Sequence, residues 1–194
     1  MKRIVTLVIA VAGLLVSSPS YAVLIHFVPG STTVGPGDVF DLDILVSGLG
    51  TEIVSAYELD VSYDPTIITA TGVTFGSFLG APLDSLTDFI LSSGNVNLAE
   101  LSFLGDDDLV ALQPGSFVLA TISFLAVAPG TTSLFFEPSP IFEVIDLKGK
   151  NAMILEAEAQ PGTVIVRQTE PVPEPGTLLL LVGFVGLLAA RRRG

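Results

Sequence analysis

The stretch VFDLDILV, residues 39–46, sends Phe40, Leu42, Ile44 and Val46 to one side of an extended chain and Asp41 and Asp43 to the other. Side chains leave opposite faces of a strand in turn, so this period of two predicts a half-buried strand with one apolar and one acidic face. The stretch SAYELDVSY, residues 55–63, repeats the design, with Tyr57, Leu59, Val61 and Tyr63 alternating with Glu58, Asp60 and Ser62. Asp64-Pro65 ends that run, because proline lacks the ladder donor and fixes φ.

Strand patterns continue outward from this pair: 67–75, 96–103, 117–127, 132–136, 141–145 and 163–167. The 117–127 run is apolar on both faces over much of its length, which predicts a central place in a sheet. Between the runs stand turn signals such as Gly35-Pro36-Gly37, Gly48-Leu49-Gly50, Ser93-Gly94, Pro114-Gly115, Pro129-Gly130 and Pro161-Gly162. Many short strands with this punctuation predict an all-β protein, an antiparallel β-sandwich or jelly roll. Residues 78–95 read as the longest irregular segment, with a short helical turn near Pro82–Leu91 and a mobile loop expected there.

Both ends carry targeting patterns. Lys2 and Arg3 precede an apolar run, Ile4–Val16, and the polar stretch after it ends Ser20-Tyr21-Ala22, the order of a secretory signal peptide. Cleavage between Ala22 and Val23 is expected. At the other end, Leu178–Ala190 holds 13 uncharged residues before Arg191, Arg192 and Arg193. As a helix this run is about 20 Å long against a hydrocarbon core of about 30 Å, a marginal transmembrane span. The arginines fit the cytoplasmic side, which puts the body across the membrane. The expected organisation is a signal peptide over 1–22, a sandwich over 23–168, a Pro-rich linker over 169–176, and a short transmembrane helix with its Arg tail over 177–194.

Between Asp38 and Glu174 lie all twenty acidic residues against three basic ones, Lys148, Lys150 and Arg167, a formal charge of −17. A body so charged repels nucleic acid and anionic lipid headgroups; a basic partner or a divalent cation is compatible with it, and charge that keeps an extracellular protein soluble is the favoured reading. There is no cysteine, so an exported domain of this kind rests on its core alone, and thiolate metal sites and cysteine nucleophiles are excluded.

GDVFDLDILV (37–46), AYELDVSYDP (56–65) and VTFGSFL (73–79) resemble the first half of a cohesin domain, and GSFVLATISF (115–124) with APGTTSL (128–134) resembles its second half. The resemblance implies the cohesin jelly roll, a module that binds dockerins through one sheet face and has no catalytic signature. VPEPG (172–176), the apolar run and the arginines resemble a PEP-CTERM sorting signal, matching its tripeptide at Pro173, Glu174 and Pro175. That resemblance implies processing by an exosortase, an integral membrane enzyme, and export across the inner membrane of a Gram-negative bacterium to the envelope, surface or a polysaccharide-rich biofilm matrix. Two prolines around Glu174 also hold the segment extended, as a peptide must be to lie in an enzyme cleft.

Candidates for chemistry are few. His26, the only histidine, lies on an apolar strand pattern and reads as an edge or surface imidazole rather than a base. G-x-S-x-G and H-E-x-x-H motifs do not occur. Asp106, Asp107 and Asp108, read as a turn, are candidate calcium ligands, with solvated carboxylates as the competing reading. Paired carboxylates would serve a glycoside hydrolase, but chance supplies many pairs among twenty acids. With no tryptophan, and with Tyr57 and Tyr63 in inward phase, sugar stacking loses its usual platform. Phe75 and Phe78 are candidates for an apolar loop contact, with core packing as the alternative. These observations together predict an exported, non-enzymatic binding or adhesion module for a surface or matrix protein. A polysaccharide-binding module is the alternative, and a carboxylate-dependent hydrolase the third class.

Overall fold

A computed structural model of the chain describes residues 23–138 and 145–168. The chain runs through β1 (Val23–Val28), β2 (Ser31–Val34), β3 (Val39–Ser47), β4 (Ala56–Ser62), β5 (Ile68–Phe75), β6 (Ser85–Ser92), β7 (Asn95–Ser102), a helix α1 (Asp106–Leu112), β8 (Ser116–Ala126), β9 (Gly130–Glu137), β10 (Asp146–Lys148), a 3-10 turn (Lys150–Ala152), β11 (Ala157–Gln160) and β12 (Gly162–Val166). One sheet has the order β11-β1-β3-β8-β5, and the other the order β2-β12-β9-β4-β7-β6, with β10 also paired to β4.

Why two layers form follows from the alternation. In β3, Leu42, Ile44 and Val46 are buried, and in β4 so are Tyr57, Leu59 and Val61, while the intervening acids stay at the outer faces. Each sheet thus offers one apolar face, and the stable arrangement is to press the two faces together. Aromatic pairs join the layers: Phe27 of β1 stacks on Phe136 of β9 at 4.4 Å, and the Tyr63 ring meets Phe124 of β8 edge-on at 5.4 Å. As its apolar sequence predicts, β8 lies inside its sheet, between β3 and β5.

Several expectations are corrected. The sandwich is not wholly antiparallel, because β1 pairs parallel with β11 and β2 parallel with β12. The chain changes sheets after β1 at Pro29-Gly30 and after β11 at Pro161, residues that break a ladder, so first and last strands cross between layers side by side. Residues 78–95 are not one irregular loop: β6 occupies 85–92 and forms a hairpin with β7 through Ser93-Gly94. Gly94 has φ +80°, and a Cβ there would meet the Tyr63 carbonyl oxygen at 3.1 Å, so the turn demands glycine. The three aspartates form the first turn of α1 rather than a loop, a position where carboxylates face the positive helix end. His26 is half-buried on β1, which β11 flanks, and so does not sit on an edge strand.

The predicted signal-peptide and transmembrane helices, and residues 141–144 of one predicted strand, lie outside the described residues. Among the described residues no helix is long and apolar enough to cross a membrane.

Phe124 is fully buried against Phe40 and Tyr63. Truncation of a core phenylalanine removes transfer energy and leaves a void, so Phe124→Ala is expected to lower stability by about 3–5 kcal/mol in urea unfolding. A loss below about 1 kcal/mol would mean that the two sheets do not meet at this ring.

Candidate functional site

The outer face of the sheet containing β4 follows from register alone. Residues directly opposite in neighbouring strands share a face, so the pairings of β6, β7, β4, β9 and β10 define rows across the surface. One row runs Leu86, Leu101, Ala56, Lys148, extended by Ile154 through a bridge to Lys148. The next runs Asp88, Ala99, Glu58, Asp146, and the third Ile90, Asn97, Asp60, Glu137. The fourth runs Ser92, Asn95, Ser62, Phe135.

Two acidic rows are thus bounded by apolar corners. Leu86, Ile90, Leu101 and Phe135 are about half exposed, at 60, 57, 47 and 50 %. The carboxylates of Asp88, Glu58, Asp146, Asp60 and Glu137 face one ammonium, that of Lys148, which bonds Asp146 at 2.6 Å. The small side chains of Ala56 and Ala99 leave a depression of about 280 Å³ between Leu86, Leu101, Glu58 and Asp88. Single exposed leucines are ordinary, but four large apolar groups around a carboxylate field make a surface suited to a partner with apolar and basic groups.

The opposite outer face is built differently. There Thr121 Oγ1 donates to Asp43 and Ser123 Oγ to Asp41, each at 2.6 Å, so neighbouring hydroxyls already serve these acids.

Beneath the acidic rows lies a residue that sequence reading missed. Val96 and Leu98 fix the phase of β7, and the same phase carries Glu100 inward, where it is only 2 % exposed. The Tyr57 hydroxyl lies 3.1 Å from Glu100 Oε2 and 3.0 Å from the Leu119 carbonyl oxygen of the other sheet, one proton serving two acceptors. Burial pushes the Glu100 carboxyl above its ordinary range, and hydrogen bonds from Ser85 and Tyr57 oppose that rise. Burial, then the Glu100 charge and its hydrogen bond, push the Tyr57 hydroxyl well above the usual phenol range, so tyrosine remains the donor.

Other predicted sites disperse. Asp106 Oδ2 accepts from the Asn151 backbone N–H at 2.9 Å, and among the described residues no three acidic or histidine side chains are grouped to hold a metal ion. Phe75 and Phe78 pack against the core, with Phe78 5.1 Å from the Phe117 ring. Val23 opens β1 with a buried side chain. Ala22, Pro173, Glu174, Pro175, Arg191, Arg192 and Arg193 lie outside the described residues.

The family model described as "Cohesin domain" matches residues 25–172, most of the chain. The chain belongs to the cohesin domain family. A second model, the PEP-CTERM protein-sorting motif, matches residues 171–193 and so contains the Pro-Glu-Pro and arginine clusters. Solved cohesins share the fold. The seventh ScaB type I cohesin of Pseudobacteroides cellulosolvens aligns with TM-score 0.60 at 18 % identity, over 79 % of this chain and 97 % of that one. A type I cohesin from Clostridium thermocellum, solved as a cohesin–dockerin complex, gives 0.58 at 14 % over 75 % and 99 %. The non-cellulosomal cohesin of the archaeon Archaeoglobus fulgidus gives 0.57 at 16 % over 77 % and 94 %. No curated protein matches the sequence. A cohesin domain joined to this sorting motif is an exported protein-binding module of the cell envelope or surface.

The buried carboxyl gives a pH signature. Its folded-state value lies above the ordinary 4.5, so the folded chain holds the proton more tightly than the unfolded chain. That contribution is complete below the unfolded value and is lost as pH rises through the folded one. Wild type is therefore expected to gain melting temperature relative to Glu100→Gln as pH falls from 7 to 5, each kcal/mol appearing as about 4 °C. A difference between the two proteins that does not change with pH would contradict a strained carboxylate at this position.

Proposed function

We propose that this cohesin is a non-enzymatic adhesion module that holds a surface or matrix protein against the outer face of β6, β7, β4, β9 and β10. The observation that carries the reading is the pairing of two acidic rows with Leu86, Ile90, Leu101 and Phe135 on one exposed face. Apolar contacts supply affinity there, and the carboxylates select a basic partner and speed its approach. Dockerin binding by a related cohesin supports a protein ligand, and the buried Tyr57 and Tyr63 speak against sugar stacking as the main mode.

In this reading residues 1–22 are removed on export, 23–168 form the binding domain, 169–176 present Pro173-Glu174-Pro175 to an exosortase-type enzyme, and 177–194 hold the chain in the inner membrane meanwhile. Asp106, Asp107 and Asp108 stand in the first turn of α1, where the positive helix end favours carboxylates.

Capture of envelope and matrix proteins on the immobilised domain, with glycan binding measured in parallel, tests the face. Leu101→Arg with Ile90→Arg should weaken the captured complex by about tenfold or more, since buried interface anchors cost over about 1.4 kcal/mol each. Glycan binding with no protein partner, or capture indifferent to both substitutions, would overturn the reading.

The tail is tested by the mass of the mature C-terminus. Truncation near Pro175 with a new covalent end is expected; a mature pool ending at Gly194 would show that the motif is not processed.

A further inference from the structure

A second opening lies at the mouth of the sandwich, between the free edges of the two sheets. It is a cavity of about 460 Å³ lined by Phe75, Ser77, Ser85, Thr87 and Glu100, with Gly76, Gly80, Ala81 and Pro82 completing the wall. It exists because β6 overhangs the sheet that ends at β5: Thr87, Phe89 and Leu91, on the inward side of β6, remain exposed. The rings of Phe75 and Phe89, 6.5 Å apart, partly bridge the gap.

The wall is set by backbone. A Cβ on Gly76 would stand 2.2 Å from the Val118 carbonyl oxygen, and one on Gly80, at φ +137°, 2.8 Å from Asp84 Cβ. The site therefore has a fixed shape and a size in the range of small-ligand pockets.

Its chemistry is that of a cation acceptor. Glu100 brings a carboxylate that has lost nearly all contact with solvent and holds two neutral donors, the Tyr57 and Ser85 hydroxyls. A carboxylate has about four lone-pair positions, so acceptor capacity remains, and Ser77 and Thr87 add hydroxyl oxygens at the wall. Among the described residues that line the cavity none is basic. An anion would meet Glu100 and a strongly acidic domain, whereas a neutral polyol would leave the buried charge without a counter-charge. A guanidinium prefers both carboxylate oxygens in a fork, and Oε2 is already engaged by Tyr57. A compact ammonium with three donors, and an aliphatic stem lying on Phe75, fits these groups.

We propose that the cavity between β5 and β6 is a socket for a primary ammonium group, with Glu100 as counter-charge and Ser77 and Thr87 as further acceptors. The source is either a lysine side chain of a bound protein or a free alkyl amine. The site is on the inner side of β6 and β7 and does not depend on the outer face being an interface.

The test is NMR titration of the isotope-labelled full chain with N-acetyl-lysine methylamide, following backbone amides of Gly76, Ser77, Ser85, Thr87 and Glu100. Saturable shifts at these positions are expected, with a dissociation constant of roughly millimolar order for so small a ligand. The arginine analogue and the uncharged norleucine analogue should bind at least about fivefold more weakly, and Glu100→Gln should weaken lysine-analogue binding by about tenfold or more, a loss of about 1.4 kcal/mol. Thr87→Val, on an exposed position, provides a variant whose folding is not at stake and should weaken binding about threefold. Equal binding of the norleucine analogue, or unchanged binding in both variants, would overturn the socket. A lysine-bearing strand peptide that binds over tenfold better than n-butylamine assigns the socket to a protein side chain, and equal binding assigns it to the free amine.

Discussion

β4 pairs with β7 along one edge, and along the other with β10 at its Ala56–Glu58 end and β9 at its Asp60–Ser62 end. Its register therefore settles the geometry of four strands at once. Shifting that register by one residue would exchange Tyr57, Leu59 and Val61 for Glu58 and Asp60, moving charges into the core and opening the acidic rows. Core and acidic outer face are thus the two sides of a single constraint. Any sequence that packs β4 correctly also builds the row pattern outside it.

The exception on β7 shows how the constraint is met where the pattern is broken. Glu100 stands at an inward position, where burial of an ionised carboxylate without partners would be prohibitive. The cost is limited by the Tyr57 hydroxyl, which reaches from β4 to both Glu100 and the Leu119 carbonyl oxygen on β8. The same contact links the two sheets, so the polar group tolerated in the core also fixes how the layers sit at that end. Gln113 does similar work at the neighbouring loop: its amide donates to the Val54 and Phe78 carbonyl oxygens and accepts from the Val54 N–H.

Strands with one wet face were legible in the sequence because alternation is a direct imprint of half-burial, and β3, β4, β7, β8, β9 and β12 follow it closely. Residues 85–92 were not, since β6 is an edge strand whose inward side is uncovered; Leu86, Phe89, Ile90 and Leu91 carry no period of two because no core enforces one. STTV and AEAQ are too short and polar to announce β2 and β11, whose pairing with distant partners depends on tertiary contacts. Among site residues, the acidic outer positions were readable by phase. Glu100 was readable in principle by the same phase, but the typical exterior location of glutamate masked it.

β6 also bears on solubility. An eight-residue edge strand with four exposed large apolar groups is the kind of surface that templates pairing with other chains. Its single charge, Asp88, sits at the middle of the strand and in the acidic row beside Glu58. Two copies pairing edge to edge in antiparallel fashion about that centre would bring Asp88 against its own counterpart or desolvate it against an apolar neighbour, and both are unfavourable. One carboxylate thus serves against self-association while belonging to the acidic outer face of the sheet. This explains how an edge strand can keep four exposed large apolar groups without being lost to its own kind.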